Sequence, residues 1–254
     1  MPVRSEHSDD VVELVLDWPQ KLNALDLEAL LELDAALERA EGARALVLRG
    51  EGRAFCAGRD VSEVDPATDD PRGYLDTFTA LLHRLAEFPA PTFAAATGAC
   101  LGVGLGILIA TDVVYVADTA RIGSPFAALG AALDSGAHAL FVERLGTHRA
   151  LDLIYTGELM SGAEAVASGL FSRVVPADEV VGFTREKAAA VAAGPTAAFV
   201  AEKRLIARVR DERIGLWQSM ADETDAQVAL SATADYAEGF AAFRQKRRPR
   251  FAGR

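Results

Sequence analysis

Asp134 stands at the end of the apolar run Phe126-Ala-Ala-Leu-Gly-Ala-Ala-Leu133 and is followed by Ser135-Gly-Ala-His138. A carboxylate set among apolar neighbours is a candidate general base or acid, because a proton shuttle works best when held apart from bulk water. His138 lies four residues further on. If both sat on one helix they would share a face, and a His–Asp pair can activate water. A second reading is structural. An aspartate before Ser-Gly is a common helix cap, and a solitary histidine is commonly packed or solvated. Ser124 adds a hydroxyl that could hold a polar group. Cys56 and Cys100 form no Cys-x-x-Cys unit and no disulfide framework. No metal and no resident cofactor are expected.

Two glycine-bearing segments frame these groups. Phe55-Cys-Ala-Gly-Arg-Asp60 comes first, and Gly98-Ala-Cys-Leu-Gly102-Val-Gly104-Leu-Gly106 follows. Taken alone, the second segment reads as close packing of a strand on a helix. The densest positive patch is Arg244-Gln-Lys246-Arg247-Arg248-Pro-Arg250, near the C-terminus. It reads equally as a basic tail and as an anion-binding strap.

The elements that must position these residues alternate. Residues 11–16 alternate with β-rich composition and predict a strand. Asp26 is the expected N-cap of a helix whose leucines at 27, 30, 31, 33 and 37 supply an apolar face. Residues 44–49 predict a strand, 61–73 a polar surface loop, and 74–88 an amphipathic helix stopped by Pro89 and Pro91. A strand over 92–96, a helix over 102–109 and a strand over 113–117 complete a βαβ-type pattern. Beyond residue 120 the pattern turns helical, at 140–145, 149–156, 163–168, 178–193, 195–210 and 213–230, with an extended piece at 170–175. Ser161 and Glu164 have the spacing of a capping box.

The chain has 254 residues, half of them hydrophobic, and a formal net charge of -11. That length fits one α/β domain with an appendage. The acidic balance argues against nucleic acid and anionic membranes as partners. The apolar stretch 89–110 is rich in glycine and alanine and meets Asp112 at once. A membrane span needs about 20 strongly apolar residues, so no membrane insertion is expected. The first ten residues lack the apolar core of a signal peptide. With two cysteines and no such leader, a cytoplasmic location is expected.

In order and spacing, Asn23-Ala-Leu, 55–60, 98–112, Thr156-Gly157 with 161–169, and 243–253 resemble the enoyl-CoA hydratase/isomerase (crotonase) family over nearly the whole chain. The resemblance implies an α/β fold, a spiral of repeated ββα units over residues 1–195. A helical region over 196–254 would then build trimers or hexamers and cover the CoA. It also implies an acyl-CoA thioester substrate, with coenzyme A present only as part of it. The Arg59 and Val103 backbone N–H groups would form an oxyanion hole, with Ala57, Gly58, Gly104 and Gly106 around it. The Ala57 carbonyl would take the adenine amino group, and Arg59, Lys246 and Arg247 the CoA phosphates.

The two catalytic glutamates of the hydratases correspond to Gly106 and Phe126. Neither residue can move a proton, and Val103 stands where glycine is usual. The resemblance therefore implies a double-bond isomerase working through Asp134, where some isomerases of the family carry an aspartate. A hydratase or lyase with a rearranged site, with His138 or the 61–73 loop supplying a group, stays open. So does an acyl-CoA binder without catalysis.

Overall fold

The computed structural model describes residues 2–62, 64–65 and 67–254; Met1, and Glu63 and Pro66 of the expected 61–73 loop, lie outside the described residues. The chain opens with a hairpin of β1 (Val3–Ser8) and β2 (Val11–Leu16). α1 (Leu27–Arg39), β3 (Ala45–Gly50), α2 (Pro71–Ala86) and β4 (Thr92–Ala96) follow. Then come β5 (Ala99–Leu101), α3 (Val103–Ala110), β6 (Val113–Ala117) and β7 (Arg121–Gly123). α4 (Ala137–Thr156), β8 (Met160–Ser161), α5 (Gly162–Ala167), β9 (Arg173–Val175) and α6 (Val180–Ala192) complete the core. α7 (Thr196–Ala207), α8 (Leu216–Ser231) and α9 (Ala234–Arg244) form the C-terminal region.

The main sheet has the order β1-β2-β3-β4-β6-β9. Its first pair is antiparallel and the rest are parallel. β3 and β4 are buried along their whole length, as expected of a parallel sheet covered on both faces. Residues 45–48 read Ala-Leu-Val-Leu and 93–96 Phe-Ala-Ala-Ala, so little polar surface is sealed. α6 packs on β3 and β4 from one side. A small second sheet, β5-β7-β8, sits beside the first.

Local chemistry sets several boundaries. Asp26 caps α1 by accepting the Ala29 N–H at 2.8 Å. Only part of the expected leucine face is used: Leu30, Leu33 and Leu37 are buried, whereas Leu27 and Leu31 are exposed. The buried three follow the helical repeat, and 27 and 31 form the stripe beside it. α2 begins three residues before the expected start, because Asp70 accepts the Gly73 N–H and Pro71 opens the first turn. The capping box of Ser161 and Glu164 is formed. The two helical stretches expected at 140–145 and 149–156 join as α4, kinked at Gly146, which takes φ +75°. The strands β1, β5, β7 and β8 and the helix α9 add to the expected elements.

An ion network ties the sheet to α6. Glu13 on β2 is almost fully buried, and so is Arg49 on β3. Both Arg49 and Arg185 of α6 donate to the Glu13 carboxylate. Burial pushes the Glu13 carboxyl up, but the two guanidiniums together hold it below its ordinary range. Among the described residues, no helix is long and apolar enough to cross a membrane.

Candidate active site

A two-rung parallel ladder brings the two glycine-bearing segments together. Cys56 N–H donates to the Ala99 carbonyl at 3.0 Å, and Leu101 N–H donates to the Cys56 carbonyl at 2.9 Å. Cys56 and Cys100 therefore face each other as bridge partners. Both thiols are buried, and burial pushes the Cys56 thiol up to about 12. The ladder ends by setting Gly58-Arg59 beside Gly102-Val103: a Cβ on Gly102 would stand 3.7 Å from the Gly58 Cα.

The direction of the Arg59 backbone follows from Leu25. Leu25 N–H donates to the Gly58 carbonyl at 2.9 Å, and Asp60 N–H donates to the Leu25 carbonyl at 3.0 Å. In a parallel pairing the residue between two such bonds turns its own N–H the other way. Tyr74 of α2 adds its hydroxyl to the Leu25 carbonyl at 2.9 Å. Val103 is the first residue of α3, where a backbone N–H has no partner within the helix. Neither the Arg59 nor the Val103 N–H donates to another group among the described residues. Gly102 makes this turn at φ +51°, a conformation glycine reaches at little cost. The Val103 side chain is buried in the core.

The remaining glycines of the run serve close packing. A Cβ on Gly104 would meet the Cys56 carbonyl oxygen at 2.6 Å. A Cβ on Gly106 would meet the Ser135 Cβ at 2.6 Å and the Phe78 ring at 3.0 Å. The space where their side chains would stand is filled by Cys56, Ser135 and Phe78. The Phe126 ring lies over Gly102, 3.3 Å from where a Cβ would be.

Asp134 precedes α4 and does not cap it. The N-cap is Gly136, with no side-chain hydrogen bond, and Asp134 contributes only its backbone carbonyl, to Ala137 N–H at 3.1 Å. The Asp134 carboxylate accepts instead from the Ser135 hydroxyl at 2.5 Å. It lies within electrostatic reach of the Arg59 guanidinium and of Tyr74. His138 is exposed on the first turn of α4. Because Asp134 stands outside the helix, the expected shared face does not arise and no bond joins the pair among the described residues. Ser124 is buried beside a narrow apolar gap lined by Leu133, Phe141 and Met160, too tight for a water molecule.

Two of the three expected phosphate-binding cations, Arg59 and Arg247, have partners of their own. Arg59 makes a two-point pair with Asp69, at 3.0 and 2.5 Å, and its guanidinium lies 4.3 Å over the Tyr74 ring. A CoA phosphate there would compete with Asp69. Arg247 makes a two-point pair with Glu238, at 2.6 and 2.7 Å, which holds the Glu238 carboxyl down at about 2. The basic tail is strapped back: Asp235 accepts the Ala252 and Gly253 N–H groups at 2.6 and 2.7 Å. Lys246 is exposed at φ +52°. α7, α8, α9 and the tail enclose an apolar groove of about 510 Å³, lined by Leu230, Tyr236, Phe240, Phe243 and Phe251 among others.

Sequence reasoning gave no site role to Asp69, Tyr74 and Ser135, and met Leu25 only as part of Asn23-Ala-Leu. Ser135 carried a usable signal, being a hydroxyl next to the candidate base. The others act through contacts that no local pattern announces.

Comparison with known proteins gives a consistent picture. Residues 6–254 match the family model described as enoyl-CoA hydratase/isomerase. A protein of Rhodobacter capsulatus named as a probable enoyl-CoA hydratase is 35% identical over 254 residues, covering 99% of this chain and 98% of that one. The 1,2-epoxyphenylacetyl-CoA isomerase of Escherichia coli K12 is 31% identical over 252 residues, covering 96% and 95%. The crystal structure of an enoyl-CoA hydratase subunit I from Geobacillus kaustophilus HTA426 superposes with a TM-score of 0.91. It is 32% identical and covers 100% of this chain and 99% of that one.

Proposed function

The chain belongs to the enoyl-CoA hydratase/isomerase family, and we propose that it shifts a double bond within an enoyl- or dienoyl-CoA thioester by proton transfer through Asp134. It acts on acyl-CoA thioesters; the choice of reaction and the residue roles are our reading. The observation that carries the reading is the Asp134 side chain. It is released from capping α4 and held by Ser135, while the Arg59 and Val103 N–H groups have no partner among the described residues.

The chemistry follows from that arrangement. The thioester oxygen accepts from the Arg59 and Val103 N–H groups. The Asp134 carboxylate takes a proton from the γ-carbon, and the electron pair moves through the double bond onto that oxygen as an enolate. The carboxyl then returns the proton at the α-carbon and the enolate collapses. No water is consumed and the carboxylate is regenerated. Preorganised donors favour the enolate because its charge develops where they already point, one donor being worth about 3–4 kcal/mol in other enzymes. The positive end of α3 adds to that field.

Relatives named for isomerisation and for hydration are similarly close, at 31% and 35% identity, so the choice of isomerisation rests on the residues, with Gly106 and Phe126 unable to move a proton. Residues 196–254 are the region we assign to covering the CoA and to self-association as a trimer or hexamer. The exposed Trp217, Phe240 and Phe243 support that assignment.

The test is a panel of 2-enoyl-, 3-enoyl- and dienoyl-CoAs in deuterated water, read by mass spectrometry, with Asp134→Asn beside the parent. Double-bond migration or α-deuteration slowed roughly 10²- to 10⁴-fold in the variant is expected of a general base. A gain of water mass that survives Asp134→Asn would replace isomerisation by hydration. Tight binding without exchange in either protein would make the chain an acyl-CoA binder.

A further inference from the structure

We infer that Ser135 is a positioning residue that aims the Asp134 carboxylate; the inference rests on the proton-transfer role proposed for Asp134. Three observations converge on it. The Ser135 hydroxyl donates to Asp134 Oδ1 at 2.5 Å, the hydrogen bond by which the protein holds that carboxylate. Ser135 sits at φ +60°, a left-handed conformation that is unfavourable for a non-glycine residue and persists only where the surroundings impose it. The surroundings that impose it are α3 and α2. The Ser135 Cβ occupies the space that any side chain at Gly106 would need, 2.6 Å from where a Cβ would stand, with the Phe78 ring of α2 beside it.

Ser135 is thus wedged into the α3 surface by the missing side chain at 106, and the wedge turns its hydroxyl onto Asp134. A serine placed only to make the bend would be better served by glycine, as Gly136 shows next door at φ +81°. The hydroxyl is what a glycine would lack. With one oxygen held by Ser135, the other carboxylate oxygen keeps its lone pairs for the substrate proton. A carboxylate free to swing would reach the γ- and α-carbons in fewer of its conformations.

Ser135→Gly separates position from fold. The left-handed backbone favours glycine, so thermal unfolding of this variant occurs at the parent's temperature or above. On the same enoyl-CoA panel its kcat falls about tenfold to a hundredfold, with KM changed by less than about twofold, because the interaction lost acts on the reacting step and not on thioester binding. Ser135→Ala gives the same kcat loss with lower stability. Parent-level kcat in Ser135→Gly overturns the inference, as does a loss that appears only in KM. The two readings fail separately. If Asp134→Asn abolishes exchange while Ser135→Gly does not, only the role of Ser135 falls. If exchange survives Asp134→Asn, or the parent exchanges nothing, the proton-transfer reading falls and takes this one with it.

Discussion

Asp60 shows how single residues anchor the segment that carries the Arg59 N–H, the oxyanion donor we propose. Lys21 and Ser62 both donate to its carboxylate, Lys21 at 2.5 Å, and they lower its pKa from an ordinary 3.8 to about 2. A carboxyl depressed in the folded state stabilises it above the unfolded value, and that stabilisation is lost as pH falls through the folded value. Asp60→Asn is therefore less stable than the parent at neutral pH, and the difference closes between about pH 4 and pH 2. Urea unfolding at a series of pH values reads this directly, and a difference unchanged down to pH 2 would contradict it. The Ser135 hydroxyl on the Asp134 carboxylate belongs to the same scale.

At the scale of elements, α3 packs closely on the Cys56 segment because position 104 carries no side chain. Gly104 lets the helix approach the Cys56 carbonyl to a distance that a methyl group would forbid. Gly104→Ala should cost about 1–3 kcal/mol by overpacking and shift Val103 away from Arg59. The expected result is a lower unfolding midpoint with reduced turnover; unchanged stability would contradict the packing account. This scale is also where sequence reading divides into what is visible and what is not. Asp26, Ser161 with Glu164, and the buried runs of β3 and β4 announce themselves, because caps and apolar periods are local. β5, β7 and β8 have 3, 3 and 2 residues, too few for a period to show. β1 reads Val-Arg-Ser-Glu-His-Ser at the sheet edge, and its charges hide it. α9 was hidden by the basic run that follows it. In the site, the two glycine-bearing segments could be matched from their spacing. Phe126 over Gly102, Ser135 against Gly106 and Tyr74 on Leu25 could not, since each contact is made by the fold and not by neighbouring residues.

At the scale of the molecule, Glu13, Arg49 and Arg185 join β2, β3 and α6 through one buried carboxylate. Removing that charge leaves the buried Arg49 with only its half-exposed partners Glu51 and Glu6, so the about 3–5 kcal/mol that an unpaired buried charge costs in other proteins is an upper bound. Glu13→Gln is expected to lose about 1–3 kcal/mol in urea unfolding, below that bound because Glu51 and Glu6 stay with Arg49, while CoA-thioester chemistry in the surviving folded fraction stays intact. A loss below about 1 kcal/mol would mean that water reaches the network. Arg44 makes a second long-range tie, reaching the Gly194 carbonyl at 2.6 Å and the Phe251 carbonyl at 3.3 Å, so the tail is fastened to the body that holds the site. The facing pair Cys56 and Cys100 has a practical use at this scale. They are the two cysteines of the chain, both are sealed, and the Cys56 thiol is pushed up to about 12. A thiol-alkylating reagent at neutral pH therefore finds them only when the ladder parts. The rate of labelling is a clock for the opening of the strands that aim Arg59 and Val103, one that the protein carries without any added probe.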